Sequence, residues 1–119
     1  MAGALNGTAS FATGAAVGIN GSAALHLDGS GYVQFPGRWF DPLNASWTLS
    51  LWCKPDATPA SDQVLFSKTD RSGAAGLFLA MNGTSFYLNG AAFGPANGFS
   101  VSAALVPRGG LWYALDGWR

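Results

Sequence analysis

The segment 47–55, with the sequence WTLSLWCKP, constrains the fold of this chain more than any other stretch. Its alternate residues from position 47 to Cys53 are apolar, and the residues between them are polar apart from Trp52. Such alternation is typical of a β-strand with one face against a core, and Pro55 ends the strand because it has no N–H to donate. The segment therefore predicts an amphipathic strand with Trp47 on its core face.

Short apolar runs separated by turn-forming residues fill the rest of the chain. We predict further strands at 23–28, 32–35, 63–67, 77–81, 85–88, 91–93, 99–106 and 111–115. Three dipeptides, Asn82-Gly83, Asn89-Gly90 and Asp116-Gly117, are interpreted as turns, since Asn, Asp and Gly tolerate the positive φ of tight hairpins. Eight or nine short strands without a helix predict an all-β, antiparallel β-sandwich.

The charged residues limit the partners that this chain can have. Lys and Arg number six together, Asp numbers six, Glu is absent, and the formal net charge is zero. A nucleic-acid site needs a basic face that neutralises phosphates, so no nucleic-acid partner is expected. No stretch reaches the ~20 apolar residues of a membrane helix, so no membrane partner is expected either. Few charges and no net charge instead favour self-association.

The chain predicts one folded domain with a distinct N-terminal segment. Residues 1–22 are rich in Gly, Ala, Ser and Asn, and we interpret them as an N-terminal arm or as a first strand. Residues 23–119 are predicted to form the sandwich domain, since a chain of this length holds a single core. The single cysteine, Cys53, excludes an internal disulfide, and its place on the apolar face predicts a buried side chain.

Four motifs, taken in order, resemble those of laminin-G-like domains in the concanavalin A-like lectin/glucanase superfamily. They are ALHLDGSGYV at 24–33, WTLSLWCKP at 47–55, VLFSK at 64–68 and the hairpin at 76–89. The resemblance covers residues 21–93 and implies a jelly roll of two antiparallel sheets. It also implies a non-catalytic domain that binds glycans or proteins, in some members through calcium, and that occurs in viral surface proteins among others.

The C-terminal end of the chain departs from the family pattern. That pattern continues with a W-H-x-V-A strand and further hairpins, whereas this chain ends at Trp118-Arg119. Either the sandwich is shortened, or residues 99–119 replace the missing strands in a different way. A shortened sandwich would be completed by partner chains, because missing strands expose unpaired N–H and C=O groups to strand addition. The expected partners are protein neighbours in an assembly, with a homo-oligomer as the simplest arrangement, and glycans are a further option.

Four aromatic residues are the candidate ligand- or partner-contacting residues: Trp39, Phe40, Trp52 and Trp118. Sugar-binding sandwiches stack exposed aromatic rings on sugars, and Trp is also enriched in protein-contact hot spots. Trp39 and Phe40 lie in a predicted loop, where the alternative is that they fold back over one end of the core. Trp52 lies on the outer face of its strand, where a covering loop is the alternative.

Metal and catalytic chemistry have little basis in this composition. The Asp residues lie mostly at predicted turns and form no D-x-D-x-D-G run, so no cofactor is predicted, and calcium held by separated loops is the alternative. One His and one Cys do not make a zinc site. Glycoside hydrolysis needs two carboxylates a set distance apart, and no Asp pair has strand spacing. We interpret His26 as a structural residue and the chain as a non-enzyme.

These observations predict a non-catalytic, lectin-like structural or recognition subunit of a larger surface assembly. The most specific form of the hypothesis is a virion component, such as a phage capsid decoration or tail-fibre protein. The alternative is a carbohydrate-binding module, either free-standing or excised from a larger secreted protein. Both hypotheses place the chain at a virion surface or in an extracellular location.

Overall fold

The computed structural model describes residues 3–12, 23–36, 46–69, 76–91 and 99–118. Within these residues the chain forms ten strands and no helix: β1 Ala4–Asn6, β2 Ser10–Ala12, β3 Ala24–His26, β4 Tyr32–Gln34, β5 Thr48–Cys53, β6 Gln63–Thr69, β7 Gly76–Met81, β8 Phe86–Ala91, β9 Phe99–Ala103 and β10 Tyr113–Trp118. All pairings between these strands are antiparallel. The all-β, antiparallel prediction is confirmed.

The chain divides into two compact units, Met1–Phe40 and Asp41–Arg119. In the first unit β1 pairs with β4 and β2 pairs with β3, so strands occur within the segment 1–22 that was predicted as an arm or a first strand. Asp28 lies between β3 and β4, where its carboxylate accepts hydrogen bonds from the Thr8 hydroxyl and from the Ser30 N–H, the latter at 2.9 Å. These two bonds lower the pKa of Asp28 below its usual value.

The second unit consists of a four-stranded sheet, in the order β6-β7-β8-β9, and a two-stranded sheet of β5 and β10. The inner faces of the two sheets pack on each other. The Phe86 and Tyr113 ring centroids lie 4.9 Å apart, and a Cβ at Gly117 would lie 2.9 Å from Leu88 Cδ2. The buried apolar side chains of the described residues all belong to this unit: Trp47, Leu77, Leu79, Ala80, Met81 and Phe86. Trp47 is 7% exposed, as its place in the alternating segment predicted.

The hairpin between β7 and β8 lies where Asn82-Gly83 predicted it, but its turn has a different mechanism. Four residues connect the strands, and Gly83 is not among the glycines of positive φ. The Asn82 N–H donates to the Ser85 carbonyl at 3.0 Å. The Asn82 side-chain oxygen accepts from the backbone N–H groups of Thr84 at 3.0 Å and of Ser85 at 3.1 Å. The asparagine side chain therefore closes the turn by mimicking a backbone carbonyl.

Two predicted turns are wrong, because they lie inside strands. Asn89-Gly90 belongs to β8, where Asn89 pairs with Phe78 on one side and with Ser100 on the other. Strand partners on both sides satisfy the backbone there, which overrides the local turn preference. Asp116-Gly117 belongs to β10, and Gly117 lies close to the Leu88 side chain of the other sheet. The strand predicted at 99–106 is shorter in the structure, where β9 ends at Ala103. The strand predicted at 111–115 begins two residues later and continues to Trp118 as β10.

Candidate functional site

The outer face of the four-stranded sheet carries an open groove of about 390 Å³. Its lining residues are Asp62, Phe78, Asn82, Ser85, Tyr87, Asn89, Ser100 and Ser102. The alternation of the strands explains this composition. On β8, Phe86 and Leu88 face the other sheet, so Tyr87 and Asn89 face outward, and the register places Ser102 and Ser100 beside them on β9. The groove is thus the polar counterpart of the core-forming face.

An aromatic pair forms the apolar part of the groove. The rings of Phe78 and Tyr87 lie 6.3 Å apart at an interplanar angle of 85°, an edge-to-face contact. The two residues are diagonal neighbours, because Tyr87 pairs with Ala80 and Phe78 pairs with Asn89. Both side chains are half-buried. The contact fixes the Tyr87 ring while part of it stays accessible.

Hydrogen-bonding groups surround this pair. Tyr87 forms a side-chain hydrogen bond with the Asp62 carboxylate. Partial burial, together with that bond and the negative charge of Asp62, raises the pKa of Tyr87 above its ordinary value of 10.0, so the phenol is neutral and its O–H donates. On the neighbouring strands the Ser100 hydroxyl donates to the Asn89 side-chain oxygen at 2.6 Å. The groove therefore offers both donors and acceptors beside an aromatic ring.

The outer face of the two-stranded sheet also carries aromatic residues. Trp52 pairs with Ala114 and Trp118 pairs with Thr48, so both indoles lie on the same face. Trp52 is 58% exposed and Trp118 is 74% exposed. Between them the Ser50 hydroxyl donates a hydrogen bond to the Asp116 carboxylate.

A larger cleft of about 600 Å³ lies between the two sheets of the second unit. Its lining is mainly apolar and includes Leu79, Phe86, Leu88 and Val101 from the four-stranded sheet and Leu115 from the two-stranded sheet. This composition is that of a sandwich interior. Tyr87, Asp116 and Trp118 also contribute to this lining, in addition to their places on the two outer faces.

Comparison with known families gives the membership of the chain. The Laminin_G_3 family model, of the concanavalin A-like lectin/glucanases superfamily, matches residues 27–115. The chain belongs to this superfamily. The match confirms the resemblance carried by the sequence motifs and extends it beyond residue 93, to within β10. No curated protein and no solved structure matches the chain.

The lectin-like domain brings two of the four predicted contact residues together. Trp52 and Trp118 share one outer face, whereas Trp39 and Phe40 lie outside the described residues. The groove around Tyr87 was missed by sequence reasoning. The alternation through Phe86 and Leu88 was a usable signal for it, but Asn89 was assigned to a turn, which ended the predicted strand before its outward face was complete.

The other candidate side chains of the lectin-like domain are His26, Cys53 and the Asp residues. Among residues 3–12, 23–36, 46–69, 76–91 and 99–118, no group of three His, Cys or Asp side chains could hold a metal ion. His26 is exposed on β3. Cys53 is half-buried on the inner face of β5, and this burial raises the pKa of its thiol. Within the same ranges no helix is long and apolar enough to cross a bilayer.

Proposed function

We propose that this chain is a non-catalytic recognition module that binds a glycan in the groove around Tyr87. The observation that supports the proposal is the combination of the Tyr87 ring with Asp62, Asn89 and Ser100 on one sheet face. A sugar ring has an apolar C–H face and a rim of hydroxyl groups. An aromatic ring beside fixed donors and acceptors is complementary to both.

The charges of the groove favour a neutral glycan over an acidic one. Among the lining residues that the structure describes, Asp62 is the one that is charged, and it is negative. A sugar with a carboxylate or a sulfate would meet this charge without a cation to balance it. Neutral hydroxyls, in contrast, can donate to the Asp62 carboxylate and accept from the Asn89 amide.

We propose a binding role rather than an enzymatic one, because the described residues of the groove include a single carboxylate, that of Asp62. Hydrolysis of a glycosidic bond by the usual mechanism needs a second acidic group across the scissile bond. Tyr87, with a raised pKa, is a weak acid and stays protonated at neutral pH. The described residues of the groove thus supply groups that can position a sugar, but not the second carboxyl group that hydrolysis requires.

A glycan array tests this proposal. The native chain should bind one class of neutral glycan, and Tyr87→Ala should abolish the signal because it removes the stacking ring. Tyr32→Ala is the matched control, since Tyr32 is an exposed tyrosine of the first unit. An array without signal, or equal signals from the native chain and Tyr87→Ala, would exclude the groove as a glycan site.

A second candidate function is that of a structural subunit in a surface assembly, of which a phage capsid decoration or tail-fibre protein is the most specific form. Its support is the number of large apolar side chains at the surface. They include Leu5, Phe11, Leu25, Leu27, Tyr32 and Phe35 in the first unit. Large exposed apolar areas are typical of surfaces that partner chains cover. The corresponding location is a virion surface or the extracellular space.

Sedimentation across a range of protein concentrations tests the second candidate. A homo-oligomeric subunit should sediment as one discrete oligomer, and Phe11→Asp should shift it toward the monomer. A monomer at every concentration would contradict self-assembly. The glycan array result is independent of this measurement, so the two functions can be separated.

A further inference from the structure

We propose that the outer face of the two-stranded sheet is a second binding site, which takes an extended, uncharged polysaccharide chain. The site consists of Trp52 and Trp118 with the Ser50–Asp116 pair between them, and we call it the tryptophan row. It lies on a different sheet from the Tyr87 groove and shares no residue with it. The proposal for the tryptophan row is therefore tested independently of the proposal for the groove.

The spacing of the two indoles sets the minimum length of the ligand. In the register of β5 and β10, Trp52 lies opposite Ala114, and Trp118 is four residues further along β10. At ~3.4 Å per residue the two positions are about 14 Å apart along the strands. A ligand that contacts both indoles has to span that distance, so an oligosaccharide fits where a single sugar does not.

The residues between the indoles distinguish a sugar chain from an apolar partner. The Ser50 hydroxyl and the Asp116 carboxylate are hydrogen-bonded to each other at the middle of the row. They divide the face into two separate indole surfaces. A protein hot spot or a lipid contact would favour one continuous apolar patch. A polysaccharide presents apolar ring faces and hydroxyl edges in alternation, which matches the order indole, polar pair, indole.

Residues just beyond the strand ends extend the same row. The Lys54 ammonium, next to the last residue of β5, lies 5.3 Å from the centroid of the Trp112 ring. This cation–π contact orients a third indole next to the end of the row where Trp52 lies. Lys54 and Asp116 contribute one charge of each sign. Among the described residues the row therefore carries no net charge that would attract an ionic polymer, and this is why we assign an uncharged chain to it.

Depletion of the protein by insoluble polysaccharide is the direct test. Microcrystalline cellulose and crystalline chitin are mixed with the full chain, and the protein left in solution is measured. We expect depletion by at least one of them. Trp52→Ala and Trp118→Ala should each weaken binding about tenfold, equivalent to about 1.4 kcal/mol. The variant with both substitutions should be depleted no more than an unrelated protein that does not bind polysaccharide.

Two control variants separate this site from other surfaces. Val64→Ala removes an exposed apolar side chain of β6 that belongs to neither proposed site, and it should bind like the native chain. Tyr87→Ala measures how much of the depletion is due to the groove, and depletion that is lost in the Trp52→Ala, Trp118→Ala double variant but remains in Tyr87→Ala belongs to the tryptophan row. If Tyr87→Ala alone abolished depletion, the polysaccharide would be bound in the groove and the tryptophan row would be excluded.

A measurement on the native chain removes any dependence on variant folding. Iodide quenches exposed indoles, and Trp52 and Trp118 are far more exposed than the core residue Trp47. Soluble cello- and chito-oligosaccharides should protect part of the fluorescence from iodide. Absence of both protection and depletion would overturn the proposal. A second result would also overturn it: the double variant loses self-association in sedimentation, and polysaccharide binds neither the native chain nor the variant. The outer face of the two-stranded sheet would then be a protein interface.

Discussion

The two faces of the four-stranded sheet are made from the same strands and have opposite compositions. On β8, Phe86 and Leu88 face the two-stranded sheet, whereas Tyr87 and Asn89 face outward. Phe86 is 3% exposed and contacts the Tyr113 ring. Tyr87 is half-buried and is held by Phe78 and by Asp62. Adjacent residues of one strand therefore have different surroundings: the inner ones form the core, and the outer ones form the groove that we propose as a binding site.

Substitutions on the inner face should have the largest effect on stability. Phe86→Ala removes a buried ring and leaves a cavity, so we expect it to lower the free energy of unfolding by about 3–5 kcal/mol. Tyr87→Ala, one residue away, loses mainly its edge contact with Phe78 and should cost about 1 kcal/mol. Urea denaturation of the two variants checks the contrast. Equal losses would mean that the outer face also belongs to the core.

A smaller effect is expected where the two sheets approach each other. A Cβ at Gly117 would lie 2.9 Å from Leu88 Cδ2, closer than ordinary contact, so Gly117→Ala requires the Leu88 side chain to move. Leu88 lines the open cleft and has space to turn, so we expect a loss of about 1 kcal/mol, at the low end of overpacking costs. Thermal denaturation measures it. Leu88→Ala with Gly117→Ala should show coupling, because the first substitution removes the clashing atom.

The sequence predicted the strands better than it predicted the turns. The alternation at 47–54 and the apolar run at 77–81 depend on which residues meet a core, and both became strands. Turn prediction at Asn89-Gly90 and Asp116-Gly117 depends on local preference alone. Both dipeptides have strand neighbours distant in the sequence, and local preference contains no information about them.

The candidate sites show the same limit. Trp52 was placed on an outer face by alternation, and that placement agrees with its exposure. That Trp118 shares this face could not be predicted, because the face depends on the pairing of β10 with β5 across more than 60 residues, as the Ser50–Asp116 bond does. The Tyr87 groove likewise needs Asp62 from before β6 and Ser100 from β9. Side chains that converge through sheet register leave no signature of fixed spacing in the sequence.

The smallest effect on stability is expected for Asp62→Asn, which instead changes the titration of Tyr87. The carboxylate raises the pKa of Tyr87 through its hydrogen bond and its charge, in addition to partial burial of the phenol. With a neutral amide the pKa of Tyr87 should fall toward 10.0. Phenolate absorbance in an alkaline titration measures this, and Tyr87→Phe identifies which of the three tyrosines is responsible.

The sign of the linked stability change follows from the direction of that shift. A raised pKa means that the folded chain holds the phenol proton more tightly than the unfolded chain does. The resulting stabilisation is complete below pH 10.0, the unfolded value, and is lost as the pH rises through the folded value. The native chain should therefore lose more stability than Asp62→Asn above that pH. If both lost stability equally, the Asp62–Tyr87 bond would not be present in solution, and the groove would lack one of the two contacts that hold the Tyr87 ring.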